Sequence, residues 1–128
     1  MTNEQARNQA LAASGTVIIA FIGVVHLVVG ETIFPWAPAF VGGYLVWYAM
    51  GLACLAFGLA LLAATLGLIR MPVVIPCVVL AVGAIGLTVL VEVIHGEFHF
   101  FAVSLAVAGA MTAWFHRKSP VGEAPDAP

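Results

Sequence analysis

Apolar residues fall into four long stretches, and polar residues are confined to the chain ends and to the three breaks between the stretches. The stretches cover about residues 14–34, 43–69, 73–95 and 98–115. A bilayer core of about 30 Å needs roughly 20 apolar residues in a helix, so each stretch is close to the length of one crossing. Long continuous runs favour helices over the short alternating strands of a barrel. The pattern predicts an all-α integral membrane protein, a four-helix transmembrane bundle over residues 14–118.

Composition excludes several other classes of protein. Hydrophobic residues make up 63% of the chain and charged residues 8%, with a mean hydropathy of +1.14, which leaves too little polar surface for a water-soluble globule. The expected solvent is therefore the lipid bilayer. Phosphate-loop, nucleophile-elbow and dinucleotide motifs are absent, and no basic surface is available for a nucleic acid partner.

Basic residues are distributed on one side of the predicted bundle. They flank the ends of the stretches that would meet on that side, at Arg7, Arg70, Arg117 and Lys118. Because basic residues favour the cytoplasmic side, both termini are predicted to be cytoplasmic in a multi-pass protein of the cell membrane. Residues 1–13 then form a cytoplasmic segment, and the Pro-rich residues 119–128 a disordered cytoplasmic tail.

Most other ionisable residues gather at the opposite ends of the stretches, where they form the only candidate site. They are His26, Glu31, Glu92, His95, Glu97 and His99. Ionisable groups inside a membrane are costly and usually face a partner or a cavity. Glu97 follows Gly96, which is predicted to end the third helix in a left-handed turn, so Glu97 is explained as a cap of the fourth helix. Glu92 lies deeper and needs a partner.

Small residues at helical spacing predict which faces of the helices pack together. One such face includes Gly15, Gly23, His26 and Gly30; a second Ala81, Ala84, Thr88, Glu92 and His95; a third His99, Ala102, Ala106 and Ala110. These faces would turn three histidines and one carboxylate toward neighbouring helices.

Three interpretations of this cluster remain open. Glu92 could serve as a general acid or base with His95 and His26 as partners, acting on a lipid or isoprenoid-like molecule. His26, Glu92, His95 and His99 could hold a metal, because Glu92 and His95 have the i, i+3 spacing of helical ligands, and two of the histidines could bind a haem iron. A hydrogen-bonded network that joins the helix ends is the structural alternative.

An aromatic segment occupies residues 32–43 and continues into the second stretch. Its rings belong to Phe34, Trp36, Phe40, Tyr44, Trp47 and Tyr48. Such rings favour the boundary between lipid and water, which predicts an aromatic belt, with a roof over the site as the alternative. Cys54 and Cys77 lie in different stretches, and no disulfide is expected between them.

The layout resembles the small DoxX-like membrane proteins. The resemblance rests on Gly23-Val24-Val25-His26-Leu27, Leu61-Leu62, Gly67-Leu68-Ile69-Arg70, His95-Gly96-Glu97 and His116-Arg117-Lys118. It covers most of the apolar region but departs at the second stretch, which lacks the carboxylate expected in its outer half. The resemblance implies a four-helix fold and an accessory role in membrane redox or thiol-stress complexes, including sulfur-compound oxidation coupled to quinone. It assigns no catalytic residue.

Together these features favour an accessory, redox-linked membrane subunit, which implies a membrane protein partner or a homo-oligomer. The alternatives are a small membrane enzyme that uses Glu/His acid-base chemistry and a membrane protein that binds a metal or haem.

Overall fold

A computed structural model describes residues 2–97 and 99–118, which are helical apart from short connections. The helices are α1 (Asn3–Val25), a π-helical turn (His26–Gly30), α2 (Glu31–Ile33), α3 (Ala37–Phe40), α4 (Tyr44–Thr65), α5 (Val74–His95) and α6 (Phe100–Lys118). Phe98, at the start of the fourth apolar stretch, lies outside the described residues, as does the tail from 119 to 128. Within the described part of the chain there is no strand.

Three helical segments are long and apolar enough to cross a membrane. They are Asn3–Ile33, Tyr44–Thr65 and Val74–His95. The fourth long helix, α6, is not among them, because its last turn contains His116, Arg117 and Lys118 and lowers its average hydropathy. The helical fold and its membrane character therefore agree with the sequence pattern.

The first helix extends well before the apolar stretch that predicted it. Thr2 caps α1 by accepting a hydrogen bond from the Gln5 backbone N–H (3.1 Å), and the Gln5 side chain accepts one from the Thr2 backbone N–H (2.9 Å). This reciprocal capping box stabilises a helix start among polar residues, where hydrophobicity gives no signal. In the turn that joins α5 to α6, Gly96 has a φ of 67° and ends α5 in the left-handed conformation expected from the sequence.

Helix α1 is the central helix of the bundle. It packs along α4 on one side and α6 on the other, and α6 in turn packs along α5. Glycines allow the close contacts: a Cβ on Gly58 of α4 would lie 2.7 Å from the Cα of Ala20, and a Cβ on Gly109 of α6 would lie 2.9 Å from the carbonyl oxygen of Cys77. Within the described residues, α4 and α5 have no comparable contact along their lengths.

The predicted packing faces are correct for α1 and wrong for part of α6. Gly15, Gly23, His26 and Gly30 are all buried, as expected. On α6, Ala102 is buried, but Ala106 is only partly buried and Ala110 is exposed. Residues four apart turn by about 40° more than a full circle, so such a series drifts around the helix. The buried face instead alternates steps of three and four and continues through Gly109, Thr112 and His116.

The two halves of the bundle are filled differently. The end that carries the basic residues has a close-packed core formed by Ile19, Leu61, Ala64, Val73, Cys77, Ala108 and Ala113. Cys54 and Cys77 are free thiols, as expected. The other end is closed by aromatic rings around a cavity.

The close contact between α4 and α1 gives a direct test of this arrangement. We expect Gly58→Ala to lower the free energy of unfolding by about 1–3 kcal/mol, because its Cβ would press on the backbone of Ala20. Gly83→Ala is the matched control, since no atom lies within 4 Å of its added Cβ. That control should be neutral or stabilise α5 by up to about 1 kcal/mol. Equal effects of the two changes on unfolding in detergent would contradict the helix packing.

Candidate functional site

A cavity of about 80 Å³ lies between the long helices in the half of the bundle away from the basic residues. Its lining is mostly apolar and comes from every long helix and from the segment before α4: Ile22, His26, Trp36, Ala37, Phe40, Val41, Trp47, Met50, Cys54, Leu87, Val91, His99, Phe101, Ala102 and Leu105. A single water needs roughly 10–15 Å³ of such space, so the cavity has room for several waters or for a ring-sized group.

Residues 34–41 cover one end of this cavity, and we call this segment the roof. The Trp36 ring stacks on His95 with 3.9 Å between ring centroids and 19° between planes. The Trp36 indole N–H donates a hydrogen bond to the Glu97 carboxylate at 2.5 Å. Phe40 adds an edge contact to His95 at 5.0 Å. Trp36 therefore attaches the roof to the turn between α5 and α6, so part of the aromatic segment forms the roof considered from the sequence.

His26 is held at the wall of the cavity by α4. Its Nε2 lies 2.8 Å from the carbonyl oxygen of Trp47, and its ring stacks on the Trp47 indole at 3.7 Å. A carbonyl only accepts, so His26 Nε2 is the protonated donor nitrogen. The contact needs a glycine at Gly51, because a Cβ there would lie 2.8 Å from His26 Cδ2. His26 also begins the π-helical turn, an irregularity that is frequent at functional sites.

Two nitrogens of cavity-lining residues lack a hydrogen-bond partner among the described residues. They are Nε1 of Trp47, which is 1% exposed, and Nδ1 of His99, which is 8% exposed. A third nitrogen, Nε2 of His95 beneath the roof, also lacks a hydrogen-bond partner among the described residues. An unsatisfied buried polar group costs about 1–3 kcal/mol, so the cavity has a substantial unmet capacity for hydrogen bonding.

The structure divides the cluster predicted from the sequence. His26 and His99 line the same cavity, and His95 lies in the stack with Trp36. Glu92 is exposed, so its predicted position on a packed face is wrong. Helix α5 packs mainly against α6 and buries only a narrow stripe; Val91 is 1% exposed, and the next residue is turned about 100° away.

Metal ligation and catalysis by these residues stay predictions. Among residues 2–97 and 99–118, no three His, Cys, Asp or Glu side chains lie close enough together to hold a metal ion. Glu31, the remaining carboxylate of this end, accepts a hydrogen bond from the Tyr48 hydroxyl at 3.2 Å. No carboxylate is among the described residues that line the cavity.

Sequence reasoning missed the importance of Trp47 and Gly51. Trp47 contacts His26 with both its ring and its carbonyl oxygen, and Gly51 lies one turn further along α4, where it leaves space for the imidazole. The spacing Trp-x-x-x-Gly was a usable signal, because it combines a large and a minimal side chain on one face. The π-helical turn left no comparable signal in the sequence.

No protein-family model matches the chain, and no curated protein or solved structure matches it either.

The attachment of the roof through Trp36 can be tested by hydrogen exchange. The amides of Phe40 and Val41 donate to the carbonyls of Trp36 and Ala37, so they report whether α3 stays folded. We expect Trp36→Ala to accelerate their exchange by about tenfold or more, because both the ring stack and a hydrogen bond to a carboxylate are lost.

Trp36→Phe keeps a ring above His95 but removes the N–H, and should have a smaller effect than Trp36→Ala. Trp114→Ala, a change at the opposite end of the bundle, should leave these amides unchanged. Wild-type exchange rates in Trp36→Ala would show that other contacts hold the roof.

Proposed function

We propose that the protein spans the cell membrane four times with both termini in the cytoplasm, and that it binds a small lipid-soluble molecule in the cavity beneath the roof. In this proposal it is an accessory, redox-linked subunit rather than an enzyme. The observation that carries the proposal is an apolar cavity with two buried nitrogens, Trp47 Nε1 and His99 Nδ1, that lack partners in the described part of the chain.

These nitrogens define the chemistry of the expected ligand. The Trp47 indole is only a donor, so a ligand that satisfies it must present an accepting oxygen. His99 can donate or accept at Nδ1, depending on its tautomer. Apart from the His26 imidazole, the rest of the lining is aliphatic, aromatic or sulfur-containing. A compact, largely apolar ring compound with carbonyl or hydroxyl oxygens fits both requirements.

The gap between α4 and α5 supports entry from the lipid. Met50 and Cys54 line the cavity from α4, and Leu87 and Val91 line it from α5. Helices α4 and α5 have no extended contact with each other in the described residues, while the roof covers the end of the cavity. A molecule dissolved in the membrane would reach the cavity between these two helices.

Helix lengths and charges support the four-span topology. The 19 residues of α6 extend roughly 28 Å at 1.5 Å per residue, close to the thickness of a bilayer core. The alternating directions of the long helices bring all four basic residues to one end: Arg7, Arg70, Arg117 and Lys118. Basic residues favour the cytoplasmic side, and two of these four are in the last turn of α6.

The redox link rests on the resemblance to DoxX-like proteins. A quinone is one molecule of the expected ligand class, since it is a flat, lipid-soluble ring with two carbonyl acceptors. An accessory subunit with such a site would hold or hand over the molecule, while a partner protein carries out the electron transfer. This role does not require the exposed Glu92.

Cysteine labelling tests the topology. In a chain with Cys54 and Cys77 replaced by Ala, we expect Ser119→Cys to be protected from an impermeant thiol reagent in intact cells. Thr32→Cys, at the roofed end, should react from outside. Labelling of Ser119→Cys without membrane disruption would contradict the cytoplasmic termini.

A pair of related ring compounds tests the cavity. Menadione and methylnaphthalene have the same fused rings, but only menadione has carbonyl oxygens. We expect the protein to bind menadione about tenfold more tightly by calorimetry in detergent, since two neutral hydrogen bonds contribute roughly 0.5–1.5 kcal/mol each.

Trp47→Phe and His99→Leu should each reduce this preference. His99→Leu should also unfold at the same or a higher temperature without ligand, because it removes an unsatisfied buried group with little change in volume. Trp114→Phe is the matched control and should behave as the unchanged protein. An identical preference in all the variants would rule out these nitrogens as the ligand contacts.

A further inference from the structure

The outer side of the α5–α6 hairpin has an open groove that is separate from the cavity. It consists of two hollows of about 350 and 270 Å³ that meet at Ala110. Ala106, Ala110 and Ala113 line it on α6, and Val78 and Val82 lie across from them on α5. Ala106 and Ala110, which the sequence pattern assigned to helix packing, thus face an unfilled channel.

The length and polarity of the groove suit a hydrocarbon chain. From Val103 to Arg117 its α6 side extends fourteen residues, or roughly 21 Å. One leaflet of a bilayer core is about 15 Å thick, so the groove can hold an acyl chain along the depth of one leaflet. The hydroxyl of Thr88, which also lines the groove, donates to the Ala84 carbonyl at 2.8 Å and requires no ligand partner.

A positive charge lies at the basic end of the groove. Arg117 lines this end together with Trp114, and its guanidinium carbon is 6.0 Å from the centre of the Trp114 ring. Lys118 lies 4.7 Å from the same ring centre. The guanidinium carries five N–H donors in a planar fork, and a phosphate can accept from them. A tryptophan beside basic residues is also typical of the headgroup boundary.

We propose that the groove binds one anionic phospholipid, with an acyl chain along Ala106, Ala110 and Ala113 and its phosphate against Arg117. The combination of an apolar channel and a cation at its mouth matches a molecule that is apolar along its length and negative at one end. Basic sites between membrane helices bind acidic lipid headgroups in this manner. This proposal requires that α6 lies in the membrane, as in the proposed topology, but it does not depend on ligand binding in the cavity. The Ser119→Cys labelling tests the membrane position of α6 separately.

Thermal unfolding in a neutral detergent tests the proposal. Added dioleoylphosphatidylglycerol should raise the unfolding temperature, whereas dioleoylphosphatidylcholine and sodium phosphate should not. Arg117→Gln should weaken the apparent affinity for phosphatidylglycerol about tenfold, because it removes a charged hydrogen bond. Arg70→Gln is the control of matched charge, since Arg70 is exposed at the same end but does not line the groove.

Ala110→Leu tests the acyl-chain position independently of charge. The added side chain would fill the junction of the two hollows at an exposed position, so the protein should fold normally and lose the stabilisation by phosphatidylglycerol. If Arg117→Gln and Arg70→Gln weakened the apparent affinity for phosphatidylglycerol equally, the lipid would be attracted by the general surface charge, and the proposed site would be wrong. A change from dimer to monomer on Ala110→Leu would also overturn it, because the groove would then hold a second copy of the chain.

Discussion

The close approach of α1 to α4 is the contact on which the other features of this bundle depend. Helices in lipid gain nothing from hiding apolar surface, so they associate where small residues let their backbones meet. Gly58 lies against the backbone of Ala20, and Gly23 lies against that of Leu55, where a Cβ would be 2.6 Å from the backbone nitrogen. This spacing also brings His26 over Gly51. A wider separation of the two helices would break the bond from His26 to the Trp47 carbonyl.

The cavity follows from the position of α1 at the centre. Because α1 uses two faces for α4 and α6, α5 is left to pack along α6 alone, and the ring of helices stays open between α4 and α5. At the basic end, large side chains such as Leu61 and Ile19 fill the space. At the other end the filling is aromatic and comes from the roof, where Phe34 packs with Phe101 at 5.6 Å.

The amount that could be predicted from the sequence depends on how many neighbours each helix has. The buried face of α1 could be predicted from Gly15, Gly23 and Gly30. A central helix has neighbours on several sides, so a predicted face that is rotated somewhat about the helix axis still meets one of them. The same reasoning failed for Glu92 and Ala110, because α5 and the outer side of α6 bury only narrow stripes, and one residue of drift moves a side chain from contact to lipid. Gly96 was correctly placed because a left-handed turn is a local property. The spacing of Trp47 and Gly51 marks a shared face of α4, but the separation of α1 and α4 that brings His26 onto this face is not a local property.

Trp47 Nε1 and His99 Nδ1, which have no partner among the described residues, are more costly in a membrane than they would be in a soluble protein. In a water-soluble fold, a donor such as Trp47 Nε1 can often be satisfied by an entering water, whereas a bilayer core supplies almost none. Most of the cavity lining is aliphatic or aromatic, and Trp47 is fixed by its contacts with His26 and Gly30. The site therefore combines a fixed donor with largely apolar surroundings, in which a hydrogen bond is stronger than it is in water. Under the proposed function, a ligand oxygen that accepts from these nitrogens would also stabilise the fold, so ligand binding and folding would be coupled through the same atoms.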